Sequence, residues 1–593
     1  MMNNKFTNKL IQLRSSFLKL VVNDPESIIR NFKPNVQTMI FKNYKLSSLL
    51  AIIALFSFSN LQAQLLEDGR YTSTQKYIEV SMTFAEENLQ NIKNPREKQL
   101  AWEVQAFYKS RNSEPAWINT DGTLKAMAYQ MPAYVSDMMH PSYFNFQKLF
   151  NLFEKYNAIV ASGAVPSSRM LGKMDLFLTQ TYLAVGMVNL NGYVLPEELT
   201  GIEWYLPSRT ANVVNNLTKA VIEGDVKTQL DNLLPKDDAY PKLVAHLDRY
   251  KEIKKNGGWP MVSSEILDVE MGDTSAVVST LRKRLGITED LATIFLTGEV
   301  YDENLVEAVT FYQKRNGLAT DGKVGKNTLD NLNISVEERI RQLELNIERY
   351  KWLPDHKGRK YIWVNIPEYM LRMYEDGQLV KENVVVTGAK RHQTPCFQSK
   401  LTNIVFNPYW NVPISIAKNE IGPKVSQDAQ YLLDKNYEVV NGWGTNKALD
   451  STENIDWNDK SSYNKIRFRQ KPGPGNALGI VKFNMPNKWS IYLHDTPSKS
   501  KFKMAHRAYS HGCVRVSDPT SLAVSVLEND PRWSENDVQK AIATGKTQRI
   551  QIVEEIDVYL VYMTAWVDDN GQLQLREDVY GRDKKLDAKL QNI

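Results

Sequence analysis

The chain of 593 residues has only two cysteines, Cys396 and Cys513. So sparse a set excludes a disulfide-built scaffold. One bridge between them is the plainest alternative, but the surroundings of Cys513 argue that it stays free. Long hydrophobic runs are scarce too. The apolar stretch Leu46–Phe58 is about 13 residues, short for a bilayer span. Low-complexity tracts and internal repeats are missing, which excludes solenoid and disordered architectures. The seven histidines are dispersed, with only His506 and His511 close, so no metal-ligand spacing emerges and no metal or cofactor is expected.

A body-wide charge of one sign is also lacking. The net charge is +5, but residues 1–64 hold eight Lys/Arg and two acids, a net of +6 that leaves −1 for the rest. The basic excess belongs to the N-terminal segment, and nucleic acid is excluded as a partner.

That segment reads as an export signal. From Met39, two lysines (Lys42, Lys45) precede the apolar run, and small and polar residues follow to Ala63-Gln64. This predicts a signal peptide over 39–64 cleaved near Ala63, with an uncleaved N-terminal membrane anchor as the alternative. Residues 1–38 would make the signal unusually long, so they are expected to be untranslated or presequence. A periplasmic or other cell-envelope location follows.

Residues 66–262 show apolar residues at helical spacing, as in Gln75–Ile92, Arg96–Ser110, Leu171–Val188 and Asn212–Glu223, and no catalytic constellation. They read as a helical scaffold. Residues 265–334 form a compact three-helix unit with turns at Asp321-Gly322 and Gly325. A helix over 338–354 connects it to a β-rich region, 355–593. There the period switches to two, in Tyr361–Ile366 and Tyr369–Tyr374, with a hairpin turn at Asp376-Gly377. A polar, helical-looking insertion over 424–475, containing Trp443 and Trp457, is a candidate lid. The fold class expected is multidomain α+β.

The chemistry concentrates in Trp489–Pro519. Cys513 lies in a Ser510-His511-Gly512-Cys513 turn, where Gly512 lets backbone N–H groups converge. His494 ends a strand, a rigid place from which to aim an imidazole. A cysteine nucleophile needs a base or cation to raise its thiolate fraction, and a Cys/His pair supplies one. The N–H groups of Gly512 and Cys513 are candidate oxyanion donors. Arg515 suits a substrate carboxylate. Asp495 follows His494 but points to the other strand face, so a backbone carbonyl is the expected orienter of His494.

The string from His494 through fifteen residues to Ser510-His511-Gly512-Cys513-Val514-Arg515 resembles the active-site signature of the L,D-transpeptidases, the YkuD type. LNIERYKWLP (345–354), TPCF (394–397), FNPYWNVP (406–413), PGPGNALGIVKF (472–483) and DVYGRD (578–583) are similar to its large scaffold-bearing subgroup. The spacing from Phe311 to Thr328 resembles a small peptidoglycan-binding domain. These resemblances imply Cys513 as nucleophile, His494 as general base, and Gly512, His511, Arg515 and Ser510 around the oxyanion and substrate. They imply peptidoglycan stem peptides and glycan as partners, other wall-synthesis enzymes beside them, and acylation by carbapenems. The expected reaction is acyl transfer from a tetrapeptide stem to a neighbouring stem amine. Water or a protein lysine as acceptor, and a non-catalytic wall-binding role, stay open as alternatives. Cys396, and His506 as a surface residue, receive no role.

Overall fold

The computed structural model describes residues 69–442, 447–449, 451–452 and 455–593. The signal and presequence expectations, and Trp443, lie outside the described residues. Among the described residues no helix is long and apolar enough to cross a membrane.

The chain divides into two compact units, one built from residues up to 193, 209–235 and 590–593, the other from 194–208 and 236–589. The first unit is helical. Its central helix, Ser168–Asn191, is buried along most of its length, against Arg70–Asn88 and Pro95–Ser110. Asp175 is fully buried there because its carboxylate is satisfied, accepting from the Ala116 and Trp117 N–H groups at 3.0 and 2.8 Å and from the Tyr108 hydroxyl at 2.6 Å. The helix Ala239–Lys255, within the span read as scaffold, packs instead in the second unit against Val336–Tyr350.

In the second unit the helices Ala276–Ile287, Glu303–Arg315 and Lys326–Leu332 enclose one apolar core. The Phe311–Thr328 pattern has a structural job here. The Gln313 amide donates to Asp321, the Lys323 carbonyl and Thr328, and its oxygen accepts from the Gly322 N–H at 2.9 Å. Gly322 has φ +69°, and a Cβ there would come within 2.8 Å of Val306.

The β-rich part comprises β1 (Trp204–Tyr205), β2 (Lys360–Asn365), β3 (Met370–Glu375), β4 (Gln378–Gly388), β5 (Cys396–Phe406), β6 (Trp410–Asn411), β7 (Tyr437–Asn441), β8 (Ile466–Gln470), β9 (Val481–Asn484), β10 (Leu493–His494), β11 (Ala508–Ser510), β12 (Val514–Val516), β13 (Gln548–Val561), β14 (Ala565–Val567) and β15 (Leu573–Leu575). The main sheet runs β1-β5-β13-β2-β3-β4-β12-β10-β9, and pairing of β9 back onto β5 closes it. Closure removes most of the exposed edge. Asp376 and Gly377 both have positive φ, the turn geometry that matches strand twist in a two-residue hairpin. Ile362, Val364, Leu371, Val385, Phe483, Leu493, Val514 and Val516 fill the interior.

The insertion differs from its sequence reading. β6, β8 and β7 form a second sheet, and Val412, Ile421, Val425, Val439, Tyr463 and Phe468 form its core, joined by Trp457. Its apolar residues are spread among polar ones at mixed periods, which hid a folded subdomain behind a polar composition. β14 and β15 form the last hairpin, directly after β13.

Candidate active site

Strand register assembles the site. β10 pairs with β12 in parallel, Leu493 opposite Val514 and His494 opposite Arg515. β9 pairs with β10 antiparallel, Phe483 opposite Leu493 and Lys482 opposite His494. Side chains alternate across a sheet and paired residues share a face. Leu493, Val514, Phe483 and Val516 point into the core. The other face therefore carries Cys513, Arg515, His494, Tyr492 and Lys482 together. The apolar residues between the functional ones fix this orientation, because a one-residue slip would bury the charges.

The turn before Cys513 is pinned by two hydroxyls. Ser510 Oγ donates to the Cys513 carbonyl at 2.6 Å and accepts from the Gly512 N–H at 3.0 Å. Thr394 Oγ1 donates to the Gly512 carbonyl at 2.8 Å and accepts from the Gly388 N–H at 2.9 Å. Gly512 has φ +112°, and a Cβ there would sit 3.0 Å from Ile491 Cδ1. The Gly512 N–H is thus engaged by Ser510 and unavailable as an oxyanion donor, a correction to the sequence expectation. The Cys513 N–H has no protein acceptor among the described residues.

Cys513 is half-buried and unbridged, with Sγ 3.8 Å from the Ser490 carbonyl. Burial pushes its thiol above the usual value, while the Tyr492 backbone, the Lys482 charge, the Tyr492 hydroxyl and Arg515 pull it down. Burial lowers the His494 pKa to about 3, aided by Arg515 and Lys482 and opposed by the Asp495 backbone. With its pKa lowered to about 3, the His494 imidazole is neutral at neutral pH. His494 Nδ1 and Arg515 Nε are buried without hydrogen-bond partners. The Asp495 carboxylate is occupied elsewhere, by the Ile480 N–H at 3.0 Å and by Lys499. Cys396 is fully buried, with Arg582 Nη1 2.9 Å from its sulfur, out of reach of any substrate.

His511 leaves the thiol and meets the inserted subdomain. Its Nε2 lies 2.6 Å from Glu420, on the π-helical turn Ala417–Ile421, and its ring packs on His392 at 4.8 Å. Trp410, at the start of the subdomain, reaches the Tyr492 hydroxyl. His506 is exposed, with Tyr369 3.3 Å from its Nδ1. Tyr492, Lys482, Trp410, Glu420 and His392 line the site and were missed as site residues. Lys482 and Trp410 lie in the strings at 472–483 and 406–413, whose family likeness was the available signal.

The sheet thus brings a thiol, an imidazole and two cationic side chains to one face of neighbouring strands. Residues 359–533 match the L,D-transpeptidase catalytic domain of the YkuD family, residues 103–247 a scaffold domain, and residues 278–332 a "Putative peptidoglycan binding domain". Residues 359–533 are therefore a YkuD-type L,D-transpeptidase catalytic domain by family match, accompanied in this chain by matches to scaffold and peptidoglycan-binding domains. It is 39% identical over 255 residues to a Haemophilus influenzae protein named "Putative L,D-transpeptidase", covering 42% of this chain and 50% of the relative, so the chain spans half the length of that relative. Among solved structures it aligns with an L,D-transpeptidase (Yku) of Stackebrandtia nassauensis at 16% identity, over 50% of this chain and 95% of that one, with a TM-score of 0.20. An L,D-transpeptidase of Xylanimonas cellulosilytica aligns at 17% identity over 49% and 97%, with a TM-score of 0.17. Neither superposition is close enough to bear on the fold.

Proposed function

We propose that this protein cross-links peptidoglycan in the cell envelope by cysteine acyl transfer. The Cys513 sulfur attacks the carbonyl of the third residue of a tetrapeptide stem as His494 takes the thiol proton. The terminal D-amino acid leaves with a proton from the imidazolium, and a thioester remains. A neighbouring stem amine attacks the thioester, loses a proton to His494, and the thiol is restored. The tetrahedral oxygen finds donors in the Cys513 N–H and the Tyr492 hydroxyl. Arg515, half-buried with Nε unpaired, takes a stem carboxylate. Ser510 and Gly512 set the turn, and His511 links it to the inserted subdomain.

The observation that carries this reading is the shared face of β10 and β12, which puts Cys513, His494 and Arg515 together and leaves the Cys513 N–H unengaged. The three-helix unit supports a wall substrate, through its family match. The subdomain contact at Glu420 supports a lid that keeps water from the thioester and so favours an amine acceptor. Incubation with isolated disaccharide-tetrapeptide, followed by mass spectrometry, is expected to yield cross-linked dimer. Tripeptide alone would make the protein a carboxypeptidase, and no product would refute the acyl-transfer reading.

A further inference from the structure

One cation of the site has no part in the reaction as drawn. Lys482 sits on β9 directly opposite His494 in the antiparallel pairing and opposite Val405 on its other side. Its Nζ lies 4.0 Å from the centre of the Tyr492 ring. That ring is 5.5 Å from the His494 ring, and its hydroxyl interacts with Cys513. The groups that face Lys482 are therefore Tyr492, His494 and the Cys513 sulfur, with Arg549 beyond Val405 on the same face. Arg515 follows on the far side of His494. No carboxylate pairs with Lys482 among the described residues, and burial lowers its own pKa.

A lysine in this setting is costly unless the charge is used. Burial penalises the ammonium, and the cation–π contact returns only about 0.5–2 kcal/mol. An apolar residue would satisfy the β9 position at less cost. Two consequences follow from the geometry. The ammonium fixes the Tyr492 ring from beneath, which aims the phenol at the sulfur. It also places a positive charge beside a sulfur that must become anionic.

We propose that Lys482 is a positioning residue for the Cys513 chemistry, holding Tyr492 against the sulfur and stabilising the thiolate through its charge. The inference rests on Cys513 being the nucleophile. The Lys482 charge also disfavours a protonated His494.

The test is the pH dependence of Cys513 alkylation by iodoacetamide in the full chain, located by peptide mass spectrometry, for wild type, Lys482→Met, Lys482→Gln and Lys482→Arg. Circular dichroism confirms the fold of each. In Met and Gln variants the midpoint is expected to move upward, with the rate at neutral pH falling roughly 3- to 10-fold, the change a shift of half to one unit produces. Lys482→Arg is expected to keep the wild-type midpoint. Acylation by a carbapenem should slow in the same order. A Met or Gln profile that overlays wild type overturns the proposal, as does an Arg variant displaced as far as Met. If Met and Gln variants do not fold, an undisplaced Arg midpoint supports the proposal and a displaced one overturns it. Wild-type protein that is alkylated at Cys513 but never acylated refutes the nucleophile reading instead.

Discussion

Replacing Thr394 by valine tests whether the turn geometry governs the reaction. Thr394 is fully buried, and its hydroxyl bridges the Gly388 N–H and the Gly512 carbonyl. Valine keeps the shape and removes both bonds. A buried backbone group left unpaired costs about 1–3 kcal/mol, so the loss of both bonds is about 2–6 kcal/mol if the turn stays in place. Alternatively the turn relaxes and part of that cost appears as misplacement of the Cys513 N–H, for which about 100-fold in rate is reasonable. Chemical denaturation and the rate of carbapenem adduct formation, read by intact mass, measure the two together. Thr394→Ser keeps the hydroxyl and should preserve the rate. Valine and serine variants with equal stability and equal rates would refute the reasoning.

Gly512→Ala should lose acylation activity by at least about tenfold, since φ +112° is strained for alanine and its Cβ would press on Ile491; a fully active variant would show that the turn has slack. Because the folded His494 pKa is depressed to about 3, the unfolded chain binds its proton near 6.5 while the folded chain does not. Stability from neutral His494 is thus present above 6.5 and falls as pH drops toward 3. Denaturation midpoints of wild type should fall more steeply between pH 7 and 4 than those of His494→Gln, and parallel curves would contradict the burial. Glu420→Ala removes the subdomain's contact with His511; the ratio of tripeptide to cross-linked dimer should rise about two- to fivefold, as a loosened lid admits water, and an unchanged ratio would remove the lid role.

The sequence showed the helical and β-rich regions well because many of their apolar residues keep a clear period, as in Lys360–Asn365 or Asn212–Glu223. The strands flanking Cys513 are only three residues each, too short for a period to register, yet they set the site. Segment β1 was hidden for another reason. It pairs with β5 across a long stretch of chain, Trp204 opposite Cys396, a contact that no local pattern announces. The inserted subdomain was read as a polar helical lid because its sheet is built from strands as short as Trp410–Asn411 and separated by helical turns. Cys513, His494 and Arg515 were visible through their string, whereas Tyr492 joins them only through register and Lys482, though inside a family-like string, is aimed at the site by register. The engagement of the Gly512 N–H by Ser510 is a matter of side-chain rotamer, which spacing does not encode.

The central claim is that the chemistry passes through the Cys513 sulfur. Intact-mass and peptide-mass analysis of the full chain after exposure to a carbapenem tests it directly. Wild type and Cys396→Ala are predicted to gain one drug mass each, located on Cys513, and Cys513→Ala to fold and gain none. An adduct or cross-linked product formed by Cys513→Ala, or an adduct that requires Cys396, would contradict the account.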